Sequence, residues 1–313
     1  MLRLLAISFG LLVAVTLAKA DPKPALTLVV GFNPGGSMSQ QAEIVAEILA
    51  EELKQPVELL YFPGGGGGAA AAMLAASQTK GQVIQFSPSL SFTFSPASVA
   101  SSFDVNSFDY LAAISRDQLA LVSRRDAPYQ SWPELLAFAH ERGELVFASQ
   151  TQLDRLLITY IAKQEGLQLR IVPTSGGRES LLLVISGEVD LAFGGGAYLE
   201  EVKEGRVQPL LALGQRPLTV LPEVATLESA GYCLGFESKR VLAVASGTPL
   251  AKRKRLTNAL AQLVKDPRFI DVTEQTMQMP VIFKAGDELQ QFMLQQSEAI
   301  DRLLELREAR DAD

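Results

Sequence analysis

The stretch Leu26-Thr-Leu-Val-Val-Gly-Phe-Asn-Pro-Gly-Gly-Ser-Met-Ser39 joins an apolar run to a turn and then to a helix. Residues 26–32 are mostly apolar and include β-branched side chains, which is typical of a short buried strand. Asn33-Pro34-Gly35-Gly36 ends that strand, because proline fixes φ and glycine tolerates positive φ. After Ser39, apolar residues recur at helical spacing. We therefore predict a strand–turn–helix unit of an α/β domain.

A strand that turns through glycines into a helix leaves backbone N–H groups directed at one point, beside the positive end of the helix dipole. Such a turn can hold an anion. The glycine spacing from Gly31 to Gly36 is that of a P-loop, but Ser37 stands at the lysine position and Met38 at the Mg²⁺-binding position. Nucleoside triphosphate binding is therefore not expected. From this stretch alone, an ordinary βα turn without a ligand is equally open.

The first twenty residues have the organisation of a secretory signal peptide. Arg3 supplies a basic start, residues 4–17 an apolar segment, and Ala18-Lys19-Ala20 a small-x-small cleavage site. We therefore expect residues 1–20 to be removed after Ala20 and the mature protein to be periplasmic. An uncleaved membrane anchor is the alternative.

Charge and composition exclude several classes of function. The formal net charge is −7, and removal of Arg3 and Lys19 with the leader would bring it to −9. Such a protein is not expected to bind nucleic acid or an anionic membrane surface. The single cysteine, Cys233, and the single histidine, His140, make a zinc site or a Ser-His-Asp triad improbable. We expect no metal, no cofactor and no catalytic residue.

Strand and helix patterns alternate along the chain, which indicates two α/β domains, each a mainly parallel sheet flanked by helices. The break at 124–128 suggests a first crossing between the domains. We predict domain 1 over residues 21–123 and about 240–313, and domain 2 from 124 to about 239. The final amphipathic helix, 287–307, is expected to pack onto domain 1.

Glycine and small polar residues follow several predicted strands in both halves of the chain. In the first half these are the turn at 33–37, the run Pro63–Gly68 and Ser87; in the second half they are Ser149-Gln150-Thr151-Gln152, residues 173–177 and Gly194-Gly195-Gly196. Ligands of open α/β sheets lie outside the carboxyl ends of the strands. We therefore expect a cleft between the domains, lined from both sides.

The order of these turns resembles the substrate-binding proteins of tripartite tricarboxylate transporters, the Bug family. The resemblance covers nearly all of the mature chain. Its motifs are Gly31-Phe-Asn-Pro-Gly-Gly36 before a helix, Pro63-Gly-Gly-Gly-Gly67, Val172-Pro173 with Gly176-Gly177, Ser186-Gly-Glu-Val-Asp-Leu191, Leu221-Pro-Glu-Val-Ala-Thr226, Glu228, Ala230-Gly231 and Gly247-Thr-Pro249.

The resemblance implies a type II periplasmic binding protein-like fold whose two domains close on a small carboxylate-bearing solute. It also implies delivery to the membrane permease subunits of such a transporter, or in some members to a sensor. Carried over, Phe32, Pro34, Gly35 and Gly36 match the first binding loop. Ser149 to Gln152 match a polar loop of the second domain, and Gly194 and Gly195 fall in a further cleft loop. Asp190 is expected to be structural.

Four positions depart from the family pattern, which has Pro at Gly31, Asp at Ser39, an aromatic residue at Thr174 and Arg at Phe62. Ser39 can cap the helix in place of Asp, but a contact made by the Asp carboxylate would be lost. These departures leave the identity of the solute open, and the usual dicarboxylates are not assumed.

The sequence predicts an extracytoplasmic, monomeric solute-binding protein that holds an organic acid through main-chain N–H groups and hydroxyls. The alternatives are a ligand-sensing partner of a membrane sensor kinase and, less favoured, an enzyme on a two-lobed scaffold. The predicted turns contain no acid–base pair, which argues against catalysis. The predicted ligand-binding residues are Phe32, Asn33, Pro34, Gly35, Gly36, Ser37, Ser39, Ser87, Ser149, Gln150, Thr151, Gly194 and Gly195.

Overall fold

The computed structural model describes residues 24–98, 101–196, 198–214, 216–232 and 237–311. The predicted signal peptide and Cys233 lie outside these residues. The strands are β1 (Leu26–Val30), β2 (Val57–Tyr61), β3 (Val83–Pro88), β4 (Phe108–Arg116), β5 (Ala120–Arg124), β6 (Leu145–Ser149), β7 (Leu169–Pro173), β8 (Leu191–Gly194), β9 (Val207–Ala212), β10 (Lys239–Ala245) and β11 (Val281–Lys284).

Helices follow most of these strands. They are α1 (Ser37–Leu53), α2 (Gly68–Ala75), α3 (Leu90–Ser98), α4 (Trp132–Arg142), α5 (Gln152–Gln164), α6 (Gly177–Ser186), α7 (Tyr198–Lys203), α8 (Leu250–Leu263), α9 (Pro267–Ile270) and α10 (Gly286–Asp311). A π-helical segment, Asp271–Thr276, continues α9. Among the described residues, no helix combines the length and the apolar character needed to cross a membrane.

The first domain is built on a six-stranded sheet in the order β11-β4-β10-β3-β1-β2. Strand β1 pairs in parallel with β2 and β3, whereas β10 runs antiparallel to both β3 and β4. Four strands therefore share one direction, and their carboxyl ends lie at one edge of the sheet. The sheet is therefore mainly parallel, as predicted, and the antiparallel strands β10 and β11 make it mixed.

The second domain repeats the same arrangement with five strands in the order β7-β6-β8-β5-β9. Strand β6 is parallel to β7 and β8, and β5 runs antiparallel between β8 and β9. In each domain an antiparallel strand contributed by a crossing segment is inserted beside the third parallel strand. This is the topology of a type II periplasmic binding protein, as predicted.

The chain crosses between the sheets at two places. β4 belongs to the first sheet and β5 to the second, so the first crossing lies at residues 117–119, upstream of the predicted boundary at 123/124. The apolar pattern of β5 fits either sheet equally well, which is why the sequence misplaced it. The return crossing precedes β10, which begins at Lys239.

Apolar side chains cover both faces of each sheet. In the first domain, α1 and α8 pack on one face around Leu28, Phe86 and Leu242, while α3 and the start of α10 cover the other around Phe92 and Val241. In the second domain, α5 covers Phe147 and Leu191 on one face, while α6 and α7 cover the other. Each domain thus has its own core.

Helix α10 packs on both domains, which corrects the prediction that it packs onto domain 1 alone. Leu289 and Met293 lie in the core of the first domain. About two to three turns later, Ile300 and Leu304 belong to the core of the second domain, together with Phe94 from α3. Burial of these side chains ties the two domains together at the end of the chain.

Candidate functional site

The carboxyl ends of the parallel strands in both sheets face one cleft, and the turns that leave them line it. From the first domain come the turns after β1 and β2; from the second come the turns after β6, β7 and β8. Both crossings also lie at this edge, because β5 and β10 start there. The cleft and the two crossing segments are therefore neighbours.

The turn after β1 leads into a helix whose first N–H groups are unused within the helix. Helix α1 has Gly36 as its N-cap, and no described side chain caps it. Its first intrahelical bond runs from Gln40 N–H to the Gly36 carbonyl, 3.1 Å. The N–H groups from Ser37 to Ser39 therefore have no intrahelical partner. A helix end of this kind is suited to an anion.

The turn after β7 repeats this geometry in the second domain. Helix α6 has Gly176 as its N-cap, again with no described side chain capping it. Its first intrahelical bond joins Ser180 N–H to the Gly176 carbonyl, 3.1 Å. Asn33 donates from Nδ2 to the Ser175 carbonyl oxygen at 3.5 Å, which brings this turn against the turn after β1. Two uncapped helix ends therefore belong to facing turns.

Close approaches join the lobes at two further points. A Cβ atom added to Gly66 would lie 3.6 Å from Thr151 Cγ2, and one added to Gly196 would lie 3.3 Å from Ser37 Oγ. By contrast, Gly35 and Gly195 have open space where a side chain would be. The turns that hold Gly66 and Gly196 therefore each approach a turn of the other domain.

The polar loop after β6 is organised by a buried carboxylate that the sequence analysis did not single out. Asp154 accepts hydrogen bonds from the Ser149 hydroxyl at 2.8 Å, from Gln150 N–H at 2.9 Å and from Thr151 N–H at 3.1 Å. Burial raises the pKa of the Asp154 carboxyl, against the opposing effect of these donors.

Only part of this loop keeps polar groups for a ligand. The Ser149 hydroxyl, predicted as a ligand contact, donates its one hydrogen to Asp154 at 2.8 Å and lies 3.2 Å from the Thr151 carbonyl oxygen. Thr151 Oγ1 accepts from Asp154 N–H and retains its own hydrogen. The amide group of the Gln150 side chain lies beside Gly177, at the N-terminus of α6. Gln150 and Thr151 are therefore the members of the loop that can face a ligand.

Two predicted contacts lie in the packing of the first domain. Ser87 is 0 % exposed, and its Oγ accepts from Gln85 Nε2 at 2.9 Å. Ser39 is 1 % exposed and its hydroxyl bonds to Tyr61 Oη at 2.9 Å. The expectation that Ser39 caps α1 is therefore wrong. The helix starts two residues before Ser39, with Ser37 in its first turn, and this turns Ser39 towards β2.

Close packing of two turns accounts for the glycine at position 31. A Cβ atom there would lie 2.7 Å from Gly67 Cα and 3.0 Å from Ser87 Oγ. The turns after β1 and β2 can therefore contact each other only because Gly31 has no side chain.

Asp190 has the structural role expected of it, since it accepts from Arg142 Nη1 at 2.8 Å and from Val146 N–H at 2.7 Å.

Arg240 is a buried cation in the first domain that the sequence analysis missed. It is 1 % exposed, and its Nε donates to Asp117 Oδ1 at 2.9 Å. Nη1 donates to the Ser37 carbonyl at 2.9 Å and to Gln41 Oε1 at 3.0 Å, and Nη2 donates to Ser37 Oγ at 2.8 Å. Nη2 also lies 3.4 Å from the position of a Cβ atom at Gly196. The guanidinium therefore joins a crossing segment, the first turn of α1 and the second lobe.

Among the described residues, no cluster of His, Cys, Asp and Glu side chains has the composition of a metal site.

Residues 41–308 match the tripartite tricarboxylate transporter family receptor. This chain belongs to that receptor family. The match spans most of the chain, and it confirms the family resemblance inferred from the sequence.

This receptor is 25 % identical to the UPF0065 protein in the gbd 5′ region of Cupriavidus necator, over 84 % of this chain and 82 % of that one. Among solved structures, it resembles the periplasmic binding protein BugD with a TM-score of 0.79 at 19 % identity, covering 91 % of this chain and 97 % of BugD. It resembles MatC of Rhodopseudomonas palustris, solved with bound malate, with a TM-score of 0.77 at 18 % identity, covering 89 % and 98 %. These structural likenesses establish the fold.

Proposed function

We propose that this receptor captures a small carboxylate-bearing organic molecule in the periplasm and delivers it to the permease subunits of a tripartite tricarboxylate-type transporter. Family membership supports this proposal, as does the malate bound by MatC, a protein of the same fold. The signal peptide would direct export and be cleaved after Ala20, and the mature protein would act as a monomer.

The facing N-termini of α1 and α6, both without a side-chain cap, carry the proposal. A carboxylate between them would accept hydrogen bonds from N–H groups of Gly35 to Ser37, and further bonds from the turn at 194–196 and from Gln150 and Thr151. Each charge-assisted hydrogen bond contributes roughly 1.5–3 kcal/mol. Several such bonds can offset the desolvation of a carboxylate and the repulsion from a mature charge of −9.

Binding would favour closure of the two lobes. A ligand that touches both helix ends gains all its contacts only when the lobes meet, so it shifts the population towards the closed arrangement. Two contacts between the domains would belong to that closed interface without involving the ligand. They join Asn33 to Ser175 and Gly196 to Ser37. An open form would lack these contacts.

Two alternatives deserve separate tests. A ligand-sensing partner of a sensor kinase would use the same cleft and differ only in the membrane protein that it contacts. An enzyme would need an acid–base pair facing the cleft. The acids that bond to the described turns, Asp154 and Glu179, accept hydrogen bonds from their own loops, which supports binding and not turnover.

Residues 21–313, purified without the leader, provide the test. Malate, succinate, citrate and adipate are compared with their neutral amides by thermal shift and calorimetry. We expect at least one acid to raise the melting temperature and to be recovered unchanged, and its amide to bind more weakly. Binding of neutral solutes alone would overturn the carboxylate proposal. Chemical conversion of a bound acid would favour the enzyme. Cross-linking of loaded protein in cells separates a permease partner from a kinase.

A further inference from the structure

We propose that Arg240 and Ser37 act as a relay that selects a carboxylate over a neutral group at the N-terminus of α1. The inference rests on the proposed function, because it concerns the same cleft. It assigns two roles: Ser37 donates its hydroxyl hydrogen to the bound anion, and Arg240 is a positioning residue that acts through Ser37.

The guanidinium is fixed from several sides. Asp117 receives the Nε hydrogen, and Asp117 is itself held by the hydroxyl of Ser238, whose Oγ lies 2.6 Å from Asp117 Oδ2. Both Nη1 hydrogens are used, one by the Ser37 carbonyl and one by Gln41. The orientation of Nη2 towards Ser37 is therefore set by the fold before any ligand arrives.

The hydrogen bond from Arg240 decides which way the Ser37 hydroxyl points. Ser37 Oγ accepts from Nη2 at 2.8 Å. Because that lone pair is occupied, the hydroxyl hydrogen must point away from the guanidinium. Within the described part of the chain, Ser37 Oγ has no other hydrogen-bond partner, and the residue is partly exposed. The hydroxyl thus keeps a donor for a ligand, strengthened by the charge behind it.

The position of Ser37 places that donor at the junction of the lobes. Ser37 opens α1, so its hydroxyl lies beside the unused N–H groups of the first turn. The backbone of Gly196 approaches it from the second domain. A carboxylate seated on these N–H groups would feel the guanidinium, the helix dipole and the hydroxyl together, whereas a carboxamide gains much less from all three.

The experiment compares binding of acids and of their neutral amides to four variants. Malate and adipate, with malamide and adipamide, are titrated into Ser37→Ala, Arg240→Gln, the double variant and Arg253→Gln. Arg253 is the matched control, because it forms an ion pair with Asp109 at 3.1 Å, at the start of β4 and hence at the sheet edge opposite the cleft.

We expect the affinity for an acid to fall about tenfold or more in Ser37→Ala and in Arg240→Gln, with amide affinity changed by less than about twofold. The double variant should lose no more than the larger single loss, because the two residues act through one contact. Arg253→Gln should bind like the wild type. If Arg240→Gln does not fold, Ser37→Ala decides alone, since it keeps the buried ion pair.

Equal losses for acid and amide in Ser37→Ala would overturn the relay, and so would losses that add in the double variant. A wild type that binds neither acid overturns the relay together with the proposed function. A wild type that binds acids while the variants keep their preference for acids overturns the relay alone.

Discussion

Arg240 and Asp117 form a buried ion pair, 2.9 Å from Nε to Oδ1, that joins the two segments by which the chain crosses between its domains. Asp117 lies just after β4, and Arg240 is the second residue of β10. The pair therefore fixes the crossings to each other, and Arg240 extends the connection to Ser37 in the cleft.

Removal of one member of this pair should be costly to folding. Asp117→Ala leaves the guanidinium of Arg240 buried without its anion, and such changes destabilise proteins by about 3–5 kcal/mol. We expect the free energy of unfolding in urea to fall by that amount. The control is Asp109→Ala, which breaks the more exposed pair with Arg253 and should cost about 1 kcal/mol or less. Equal losses would show that burial of the Asp117 pair adds nothing.

A side chain at Gly196 should oppose closure of the lobes. Its φ of +147° is one that residues with a Cβ rarely adopt, and the added atom would lie 3.3 Å from Ser37 Oγ. Gly196→Ala should weaken binding of the acid found in the thermal screen by about tenfold, corresponding to roughly 1.4 kcal/mol. Calorimetry measures the affinity, and X-ray scattering measures compaction with ligand.

Gly205→Ala is the matched control for that change. Gly205 also has positive φ, +70°, but no atom lies within 4 Å of its added Cβ. The substitution should lower stability without altering affinity. Unchanged affinity in Gly196→Ala would remove Gly196 from the closed interface.

Asp154 should hold the loop after β6 through acceptors that an amide cannot supply. In Asp154→Asn, one acceptor becomes an NH₂ group facing backbone N–H donors, so a loss of about 1–3 kcal/mol in the free energy of unfolding is expected. Binding of the acid should also weaken, because Gln150 and Thr151 lose their support. Chemical denaturation and calorimetry measure the two effects.

Truncation of Ile300 should loosen the connection that α10 makes between the domains. Ile300 is 2 % exposed in the core of the second domain, although its helix begins in the core of the first. Ile300→Ala should cost about 2–5 kcal/mol and lower the melting temperature of the second domain first. Leu289→Ala, in the core of the first domain, should destabilise that domain instead. Calorimetric scans distinguish the two patterns.

Local sequence patterns predicted the strands, the glycine turns and the two-domain fold well. The strand at 57–61 has the predicted bounds, and the turn after β1 leads into a helix as expected, although the helix starts at Ser37 and Ser39 does not cap it. Strand β5 was placed in the wrong domain because an apolar run does not specify which sheet it joins. The packing of α10 on both cores was missed for the same reason. Helical periodicity identifies the apolar face of a helix but not the residues that this face contacts.

The part of the site that the sequence missed depends on contacts distant in the chain. Arg240 lies 123 residues from Asp117 and 203 from Ser37, and no local pattern marks it as a buried cation within strand β10. Ser39 and Ser87 were predicted from type and position alone. Neighbouring residues of a helix or strand point in different directions, so one hydroxyl can face the cleft while the next is buried.

The most direct test of carboxylate capture by main-chain N–H groups is an amide NMR titration of ¹⁵N-labelled residues 21–313 with the acid identified in the thermal screen. We predict downfield shifts for the amide protons of Gly35, Gly36, Ser37 and Gly195, with far smaller shifts on addition of the neutral amide. Saturable binding that leaves these four resonances unmoved would contradict the account.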